Sequence, residues 1–486
     1  MNDDVKALHR ALGYAPESLV ELKPGPQAFG LDLQESAPGV PPVEIPPLDE
    51  EGAQLLEDVF EQDPEHVVER FRSLWDRSLT APQVGHAIRR ARAMLSRPER
   101  AIEFFGANED LEAAISSLPP EYTFEGMDLA SCPIDPGNTM FETVADAARW
   151  VIMTGPFVAH STLARLAPLR RHDAPTYRSR FVYQLPEPSK DGPLDIALLA
   201  DFGTGLYHSR YIARQLERRA FPYAIHLGDV YYAGRESEFA QYFKRELRPI
   251  LSRTKLFTLA GNHERYSLNE PFFRYVDERR QAAPLIQEQE GSYFCLRSER
   301  FQIVGIDTQY FGSFRYKNPE LLNWAESMLD EGRRSGRVNI LLSPDEPYTY
   351  GSKGTTDLFK DLRRILVQRR LVDLWFWGNT HYCALFGATK ALPFIGSCIG
   401  HGGYPYERER PGKPTPAPLL FLETKGRFPD WTRIRPDRGN NGYCVLRLKA
   451  DGNVELRYID WMAHERCITR LEPTPSGLAV KSLNVI

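Results

Sequence analysis

The C-terminal part of this chain is built from short apolar runs that alternate with amphipathic helical segments. After Asp191 the runs read DIALLA, YAIHL, KLFTLA, YFCLR, FQIVGID, VNILLS, DLWFWG, YCVLRLK and VELRYID. Helices are predicted between them, including one around Tyr207 to Arg219 and one from Glu236 to Leu247. Strands that alternate with helices predict an α/β fold, and the closely spaced strand pairs later in the chain predict an antiparallel portion.

Four of these runs end in polar residues that can carry chemistry. The endings are Asp201, Gly228-Asp229, Gly261-Asn262-His263-Glu264 and Gly378-Asn379-Thr380-His381, and Tyr231 and Tyr232 follow the second one. The carboxyl ends of the strands in an open α/β sheet line one crevice, where ligands bind. Carboxylate, amide and imidazole groups together suit Fe, Mn or Zn, and an aspartate can bridge two ions about 3.5–4 Å apart. The sequence therefore predicts a metal site at these strand ends.

The overall charge and the cysteine pattern exclude several classes of protein. The 486 residues include 60 Lys and Arg against 65 Asp and Glu, a formal net charge of −5. This balance gives no general attraction to nucleic acid or to an anionic membrane. The six cysteines form no CxxC pair and are too scattered for a disulfide scaffold. The acidic N-terminus does not resemble a signal peptide, and the longest uncharged run, residues 150–164, is shorter than the ~20 residues of a membrane span. We therefore expect a soluble, cytoplasmic protein.

The chain divides into three parts by sequence character. Residues 1–48 begin with a short amphipathic element and continue as a proline-rich stretch, which predicts an N-terminal arm and linker. Residues 49–190 have the periodicity of a mainly helical region. Residues 191–486 contain the predicted strands. No motif in the helical region identifies a protein partner or a role for it.

Three sequence blocks resemble those of the calcineurin-like metallophosphoesterases. In chain order they are Asp201-x-Gly203, Gly228-Asp229-x-x-Tyr232 and Gly261-Asn262-His263-Glu264. The glycine in the first block and the tyrosine that ends the second are most similar to the purple acid phosphatase-like members of that superfamily. The resemblance covers Leu194 to Asp460. It implies a sandwich of two β-sheets flanked by helices.

The resemblance also implies a role for each polar residue. The implied metal ligands are Asp201, Tyr232 and His381 for a first ion, Asn262 for a second ion, and Asp229 as the bridge between them. His263 would stand beside the substrate, where it would stabilise the transferring phosphoryl group or protonate the leaving oxygen. The implied cofactors are one or two ions of Fe, Mn or Zn, with Mg as a further candidate. The implied reaction is the hydrolysis of a phosphomonoester or a phosphodiester by a metal-bound hydroxide.

The sequence departs from the family pattern at two positions, and both concern the second ion. A histidine is expected after the VNILLS strand, but Ser343 is followed there by Pro344, Asp345 and Glu346. The last block is expected to read Gly-His-x-His, but Asn379 stands at the position of the first histidine. One interpretation is that Asp345 or Glu346 and the Asn379 carbonyl coordinate instead, which would favour Mn or Mg. The other interpretation is that the second site is weak or empty.

Two histidines outside these blocks have different predictions. His226 lies on a predicted strand, two positions before Gly228, and is expected to be a packed core residue. His401 follows a glycine in the GHGGY turn. Because loops that follow strands often carry function, His401 is a candidate for lining the site.

Two functions of different classes agree with these patterns. The first is a metal-dependent phosphoesterase. The alternative is a weakly active or inactive metallophosphoesterase fold that serves as a binding or scaffold protein, with the helical region as the partner surface. Pro344 and Asn379, which mark the two departures from the family pattern, motivate the alternative.

Overall fold

Fifteen β-strands run through the part of the chain that the computed structural model describes. That part is residues 181–486, with gaps at 191, 232–233, 235, 268, 282–288, 309–318, 429 and 431–437. The first eight strands are β1 (Val182–Gln184), β2 (Leu194–Leu199), β3 (Tyr223–His226), β4 (Lys255–Thr258), β5 (Phe294–Arg297), β6 (Phe301–Gly305), β7 (Val338–Ser343) and β8 (Leu374–Trp377). The other seven are β9 (Cys383–Phe386), β10 (Ile395–Ile399), β11 (Leu419–Leu422), β12 (Gly442–Leu448), β13 (Val454–Asp460), β14 (Glu465–Thr474) and β15 (Gly477–Val485).

Helices connect many of these strands. The α-helices of the described residues are α1 (Tyr207–Arg219), α2 (Glu236–Glu238), α3 (Arg245–Leu251), α4 (Asn262–Tyr266), α5 (Glu270–Gln281), α6 (Pro319–Arg334) and α7 (Asp357–Asp361). Two π-helical segments, Phe239–Lys244 and Arg364–Gln368, complete the set. The helix α1 has the predicted bounds and is followed by the C-cap residue Ala220, whose backbone is left-handed and whose N–H bonds to the Leu216 carbonyl. The helix predicted from Glu236 is instead interrupted by the first π-helical segment and ends at Leu251.

The strands form two mixed sheets. The larger sheet has the order β1-β5-β6-β7-β8-β10-β9-β11, and the smaller one has the order β15-β14-β13-β12-β2-β3-β4. In the smaller sheet β2, β3 and β4 are parallel, and β12 to β15 are antiparallel. The predicted combination of an α/β part and an antiparallel part is therefore confirmed, and it takes the form of two sheets with helices.

Two apolar cores hold these layers together. The first contains side chains of both sheets, including Ile196 and Leu198 from β2 and Ile340 and Leu342 from β7. The second lies on the other face of the larger sheet and includes Leu341, together with side chains of α6. All six residues of β7 are buried. Because this strand is covered on both faces, its sequence is mostly apolar and does not alternate between apolar and polar residues.

The sequence expectations for the first 190 residues fall almost wholly outside the described residues. This applies to the arm predicted at 1–48 and to the mainly helical region predicted at 49–190, of which only 181–190 are described. Within those ten residues lies β1, which pairs with β5 in the larger sheet. Among the residues with a described structure, no helix is both long enough and apolar enough to span a membrane.

Candidate metal centre

The carboxyl ends of four strands meet at one place, and these strands come from both sheets. In the smaller sheet β2, β3 and β4 lead into Asp201, Asp229 and Asn262, whereas β8 of the larger sheet leads into Asn379. The Asn379 N–H donates to Asp201 Oδ2 at 3.0 Å, and the Asp201 N–H donates to the Gly228 carbonyl at 3.0 Å. Asp201 therefore joins the two sheets at the point where the sequence predicted a site.

Three atoms from different loops form a small triangle at this point. The Tyr231 hydroxyl donates to Asp201 Oδ1 at 2.6 Å and lies 2.8 Å from His381 Nε2, and the third side, from His381 Nε2 to Asp201 Oδ1, is 3.2 Å. Asp201 is fully buried, whereas 23% of the His381 side chain is exposed. The triangle is therefore open to solvent on the His381 side.

The backbone at three of these strand ends is left-handed. Asp201, Asp229 and Asn379 have φ angles of 56°, 72° and 62°. Asp and Asn tolerate this conformation better than other residues with a Cβ atom, but it still costs free energy and persists only where the surroundings enforce it. Such a concentration of unfavourable backbone at one place is typical of a functional site.

Two glycines of the sequence blocks leave room for the carboxylates. A Cβ atom added to Gly261 would overlap Asp229 Oδ1, and one added to Gly378 would lie 2.9 Å from Asp201 Oδ2. Any other residue at these positions would displace the carboxylates. Close packing therefore explains why glycine precedes the polar residues in both blocks.

Asp229 lies in a strongly acidic environment. Burial raises the pKa of Asp229 well above its usual range, and the negative charges of Asp201, Glu264 and Asp345 raise it further. The His263 N–H, which donates to Asp229 Oδ1 at 3.2 Å, acts in the opposite direction. The three charged neighbours that raise this pKa are all acids, so a cation bound here would stabilise the ionised carboxylates.

Glu346 and Asn379 contact each other where the resemblance led us to expect histidines. Asn379 Nδ2 donates to Glu346 Oε2 at 2.8 Å. Burial raises the pKa of Glu346 to about 7, the charge of Asp345 contributes to the shift, and the hydrogen bond from Asn379 opposes it. Asp345 is itself buried, and its charge acts on both Asp229 and Glu346. The three residues of the predicted oxygen-rich alternative therefore lie together beside the triangle.

Besides His381, three histidines named from the sequence occupy different environments. His263 is buried, and its ring centroid lies 4.3 Å from that of Tyr231, so it borders the site. His226 is a core residue, as predicted: its Nδ1 lies 3.1 Å from Thr258 Oγ1, and burial lowers its pKa to about 3. His401 is buried, and its Nδ1 lies 3.2 Å from the Ile399 carbonyl. Burial lowers the pKa of His401 to about 4, although the charge of Asp201 acts on it in the opposite direction.

Tyr404 is a site residue that the sequence analysis missed. Its ring is stacked on His381 with centroids 4.3 Å apart, and it also lies 4.8 Å from the Tyr231 ring. The Tyr404 N–H donates to the Asp201 carbonyl at 3.1 Å, and its own carbonyl accepts from Asn441 Nδ2. An aromatic residue at the end of the glycine-rich GHGGY turn was the available signal, since such a turn can lie directly against another loop.

Two further predicted ligands have a less complete description. Asn262 is half-buried and is the first residue of α4. Tyr232 lies outside the described residues, so its role as a ligand stays a prediction. The neighbouring residue, Tyr231, is the tyrosine whose hydroxyl completes the triangle.

The donor atoms of the triangle suit a metal ion. In an octahedral site with bonds of about 2.1 Å, neighbouring donor atoms lie about 3.0 Å apart. The three measured sides, 2.6, 2.8 and 3.2 Å, are close to that value. Within the described part of the chain, no group of three or more His, Cys, Asp or Glu side chains is arranged to hold a metal ion. The triangle contains two such side chains, and its third donor is a tyrosine oxygen.

Comparisons with known proteins found one family model and several solved structures that are similar to parts of this chain. A family model described as calcineurin-like phosphoesterase matches residues 194–383. Among solved structures, a purple acid phosphatase, PPD1, from yellow lupin (Lupinus luteus) seeds is 18% identical with a TM-score of 0.44, covering 58% of this chain and 54% of the lupin chain. GAP50, described as the anchor in the inner membrane complex of Plasmodium, is 13% identical with a TM-score of 0.43, covering 60% and 88% of the two chains. A dimetal phosphatase from Danio rerio is 11% identical with a TM-score of 0.38, covering 56% and 98%.

The alignment with the lupin protein spans little more than half of that protein's own length. No curated protein sequence matches the chain. The matched segment begins with β2 and ends just after His381, so it contains all four strand ends of the site. Residues 194–383 are therefore similar to the calcineurin-like phosphoesterase family.

Proposed function

We propose that this protein is a metal-dependent phosphoesterase that hydrolyses a phosphomonoester or a phosphodiester. The observation that carries the proposal is the triangle of Asp201 Oδ1, Tyr231 Oη and His381 Nε2, with sides of 2.6, 2.8 and 3.2 Å. Carboxylate, phenolate and imidazole donors together suit Fe, Mn or Zn. The acidic surroundings of Asp229 support the same conclusion, because they favour a bound cation.

Asp201, Tyr231 and His381 would hold one ion, with Asp229 beside them. When bound, the ion would lower the pKa of a water molecule and neutralise charge on the phosphate oxygens. Tyr232 remains the ligand that the resemblance implies, and Asn262, with Asp345, Glu346 and Asn379, would contribute to a second ion. Mn or Mg would suit that oxygen-rich second set.

The chain's own residues would orient and protonate the substrate. Asp229 Oδ1 accepts the N–H of His263, which fixes the start of α4 next to the carboxylates. The imidazole of His263 packs against Tyr231, and His263 is only 1% exposed. A substrate would therefore have to enter the site to contact this imidazole. From there His263 would donate a proton to the leaving oxygen or stabilise the phosphoryl group.

Metal analysis and turnover test the proposal together. Elemental analysis should find at least one ion per chain. Initial rates on a generic aryl phosphate monoester and diester should depend on added Mn, Fe, Zn or Mg. Asp229→Asn should abolish turnover, whereas the matched control Asp195→Asn, at the other end of β2, should retain it. No bound metal and no turnover with any of these ions would refute the proposal.

The two neighbouring tyrosines are distinguished by their spectra. A tyrosine bound to ferric iron gives a visible charge-transfer band. The geometry favours loss of that band in Tyr231→Phe, whereas the resemblance favours its loss in Tyr232→Phe. His263→Ala should reduce turnover far more than metal content, and an equal loss of both would mean that His263 holds the site together.

One observation favours the alternative function, a binding or scaffold protein with weak or no activity. Asn379 and Glu346 bond to each other at 2.8 Å, where the resemblance implies second-ion ligands. Two bound metals together with turnover would exclude the alternative. A folded, metal-free protein without turnover would favour it.

A further inference from the structure

Glu264 bonds to three backbone N–H groups in two loops of the site. Its side chain is buried, with 1% exposed. Glu264 Oε2 accepts from Asp229 N at 3.0 Å and from Gly261 N at 2.7 Å, and Oε1 accepts from Val230 N at 2.5 Å. Bonds from backbone N–H groups to a buried carboxylate are charge-assisted and stronger than neutral ones. One side chain therefore connects the loop after β3 to the loop after β4.

Two of these bonds determine the backbone conformation of Asp229. The N–H groups of Asp229 and Val230 are the amides on either side of the Asp229 Cα atom, so anchoring both restricts φ and ψ of Asp229 together. The φ angle found there is 72°, which a residue with a Cβ atom adopts only under constraint. The bonds to Glu264 supply that constraint.

The third bond determines where the Asp229 carboxylate lies. The Gly261 N–H donates to Glu264 Oε2. Gly261 also packs so closely against Asp229 Oδ1 that a Cβ atom added to this glycine would overlap that oxygen. His263, two positions after Gly261, donates its own N–H to the same oxygen at 3.2 Å. The position of Gly261 and the direction of the Asp229 side chain are thus set by the same carboxylate.

We propose that Glu264 is a positioning residue that holds Asp229 in its left-handed conformation and fixes it against the Gly261–Glu264 turn. The part of this inference that concerns metal binding rests on the proposed function. The part that concerns backbone conformation does not.

Two substitutions at this position have distinct consequences. Glu264→Gln keeps the size of the side chain but places an NH₂ group against N–H donors and leaves a single acceptor oxygen for three bonds. Glu264→Asp keeps the charge but is one methylene shorter, so it cannot reach both loops. Glu423→Gln is the matched control, because Glu423 is also buried and bonded, to Arg466 at 2.9 Å, and belongs to a loop outside the site.

Hydrogen exchange of the metal-free full-length protein, measured at residue level by mass spectrometry, tests the inference without any metal. We expect the amides of Asp229, Val230 and Gly261 to exchange at least tenfold faster in Glu264→Gln, and the strands β12 and β13 to exchange as in the wild type. In Glu423→Gln the three amides should be unchanged. Wild-type exchange at all three amides in Glu264→Gln would overturn the inference.

Glu264→Asp keeps the test decisive if Glu264→Gln does not fold. We expect it to fold and to lose protection in at least one of the two loops. Full protection of both loops in Glu264→Asp would overturn the inference, because the shorter side chain could not then be the group that joins them.

Titration with Mn²⁺ alone connects the inference to the proposed function. We expect Glu264→Gln to bind Mn²⁺ at least tenfold more weakly than the wild type, while Glu423→Gln binds it equally well. If wild-type protein binds no metal but the exchange result holds, the proposed function fails and the positioning role stands. If Mn²⁺ affinity is unchanged although the amides lose protection, Asp229 does not need its left-handed backbone to bind metal, and that part of the inference is refuted.

Discussion

Replacing Tyr231 with phenylalanine tests the triangle in the metal-free protein. The substitution removes only the hydroxyl, which donates to Asp201 Oδ1 at 2.6 Å and lies 2.8 Å from His381 Nε2. A hydrogen bond to a charged group contributes about 1.5–3 kcal/mol to stability, and a neutral one contributes about 0.5–1.5 kcal/mol. We therefore expect Tyr231→Phe to lower the free energy of unfolding by about 2–4.5 kcal/mol.

Tyr443 provides a matched control for this experiment. It is fully buried, and its hydroxyl has no hydrogen-bond partner within the described structure. Tyr443→Phe removes a buried hydroxyl without breaking a bond, so its effect should stay below about 0.5 kcal/mol or be stabilising. Urea denaturation in the presence of a chelator, followed by tryptophan fluorescence, measures both variants. Equal free energies of unfolding for the two variants would show that the triangle contributes no bonds to the folded state, and our reasoning would be refuted.

Substitutions at two further residues, His226 and Tyr404, test the surroundings of the site. Burial lowers the pKa of His226 to about 3, so the unfolded state binds a proton that the folded state does not, and stability falls below pH ~6.5 by about 1.4 kcal/mol per pH unit. His226→Gln should remove that contribution in urea denaturation between pH 4 and 6, and an unchanged slope would contradict a neutral, buried imidazole. Tyr404→Leu should weaken Mn²⁺ binding about tenfold, because ring contacts with His381 and Tyr231 of about 0.5–1.5 kcal/mol each are lost. Tyr404→Phe should keep the affinity, and equal affinities in the two variants would mean that stacking does not orient His381.

The bounds of β7 and β8 could be predicted because the sequences of these two strands reflect burial on both faces. VNILLS and DLWFWG are mostly apolar, and the structure buries every residue of β7 and β8. The strand β15 was not predicted, because it lies at the edge of the smaller sheet and most of its residues are exposed. An edge strand of this kind lacks the contrast between buried and exposed positions on which the sequence pattern depends.

The candidate site could be predicted as a set of strand ends but not as an arrangement. The sequence placed Asp201, Asp229 and His381 after strands. In the structure, Asp201 Oδ1 lies 3.2 Å from His381 Nε2. The sequence did not indicate that β8 belongs to a different sheet from β2 and β3, because the residue pattern of a strand does not specify its neighbours in the sheet. Nor could spacing distinguish Tyr231 from Tyr232, since the direction of a side chain after Asp229 depends on the left-handed turn there.

The charge of Asp229 should oppose folding and support metal binding, so a single substitution should change these two properties in opposite directions. Burial raises the pKa of Asp229, and the charges of Asp201 and Glu264 raise it further. At pH values between the ordinary pKa of an aspartate and the raised pKa of Asp229, the folded state binds a proton that the unfolded state has released. Stability from this group is therefore gained as the pH falls through the raised pKa, and ionised Asp229 destabilises the folded protein at higher pH.

Asp229→Asn keeps the shape of the side chain and tolerates the left-handed backbone, but it removes the charge. Without metal, the variant should therefore be more stable than the wild type at pH 8, and the difference should be smaller at pH 5, because the wild type gains stability as the pH falls through the raised pKa of Asp229. With saturating Mn²⁺ the order should reverse, because the ion stabilises only a folded state that binds it. Urea denaturation at both pH values, with chelator and with Mn²⁺, measures all four conditions. A metal-free variant less stable than the wild type at pH 8 would mean that a cationic group of the chain already neutralises Asp229, and the acidic site would not need a metal ion to balance it.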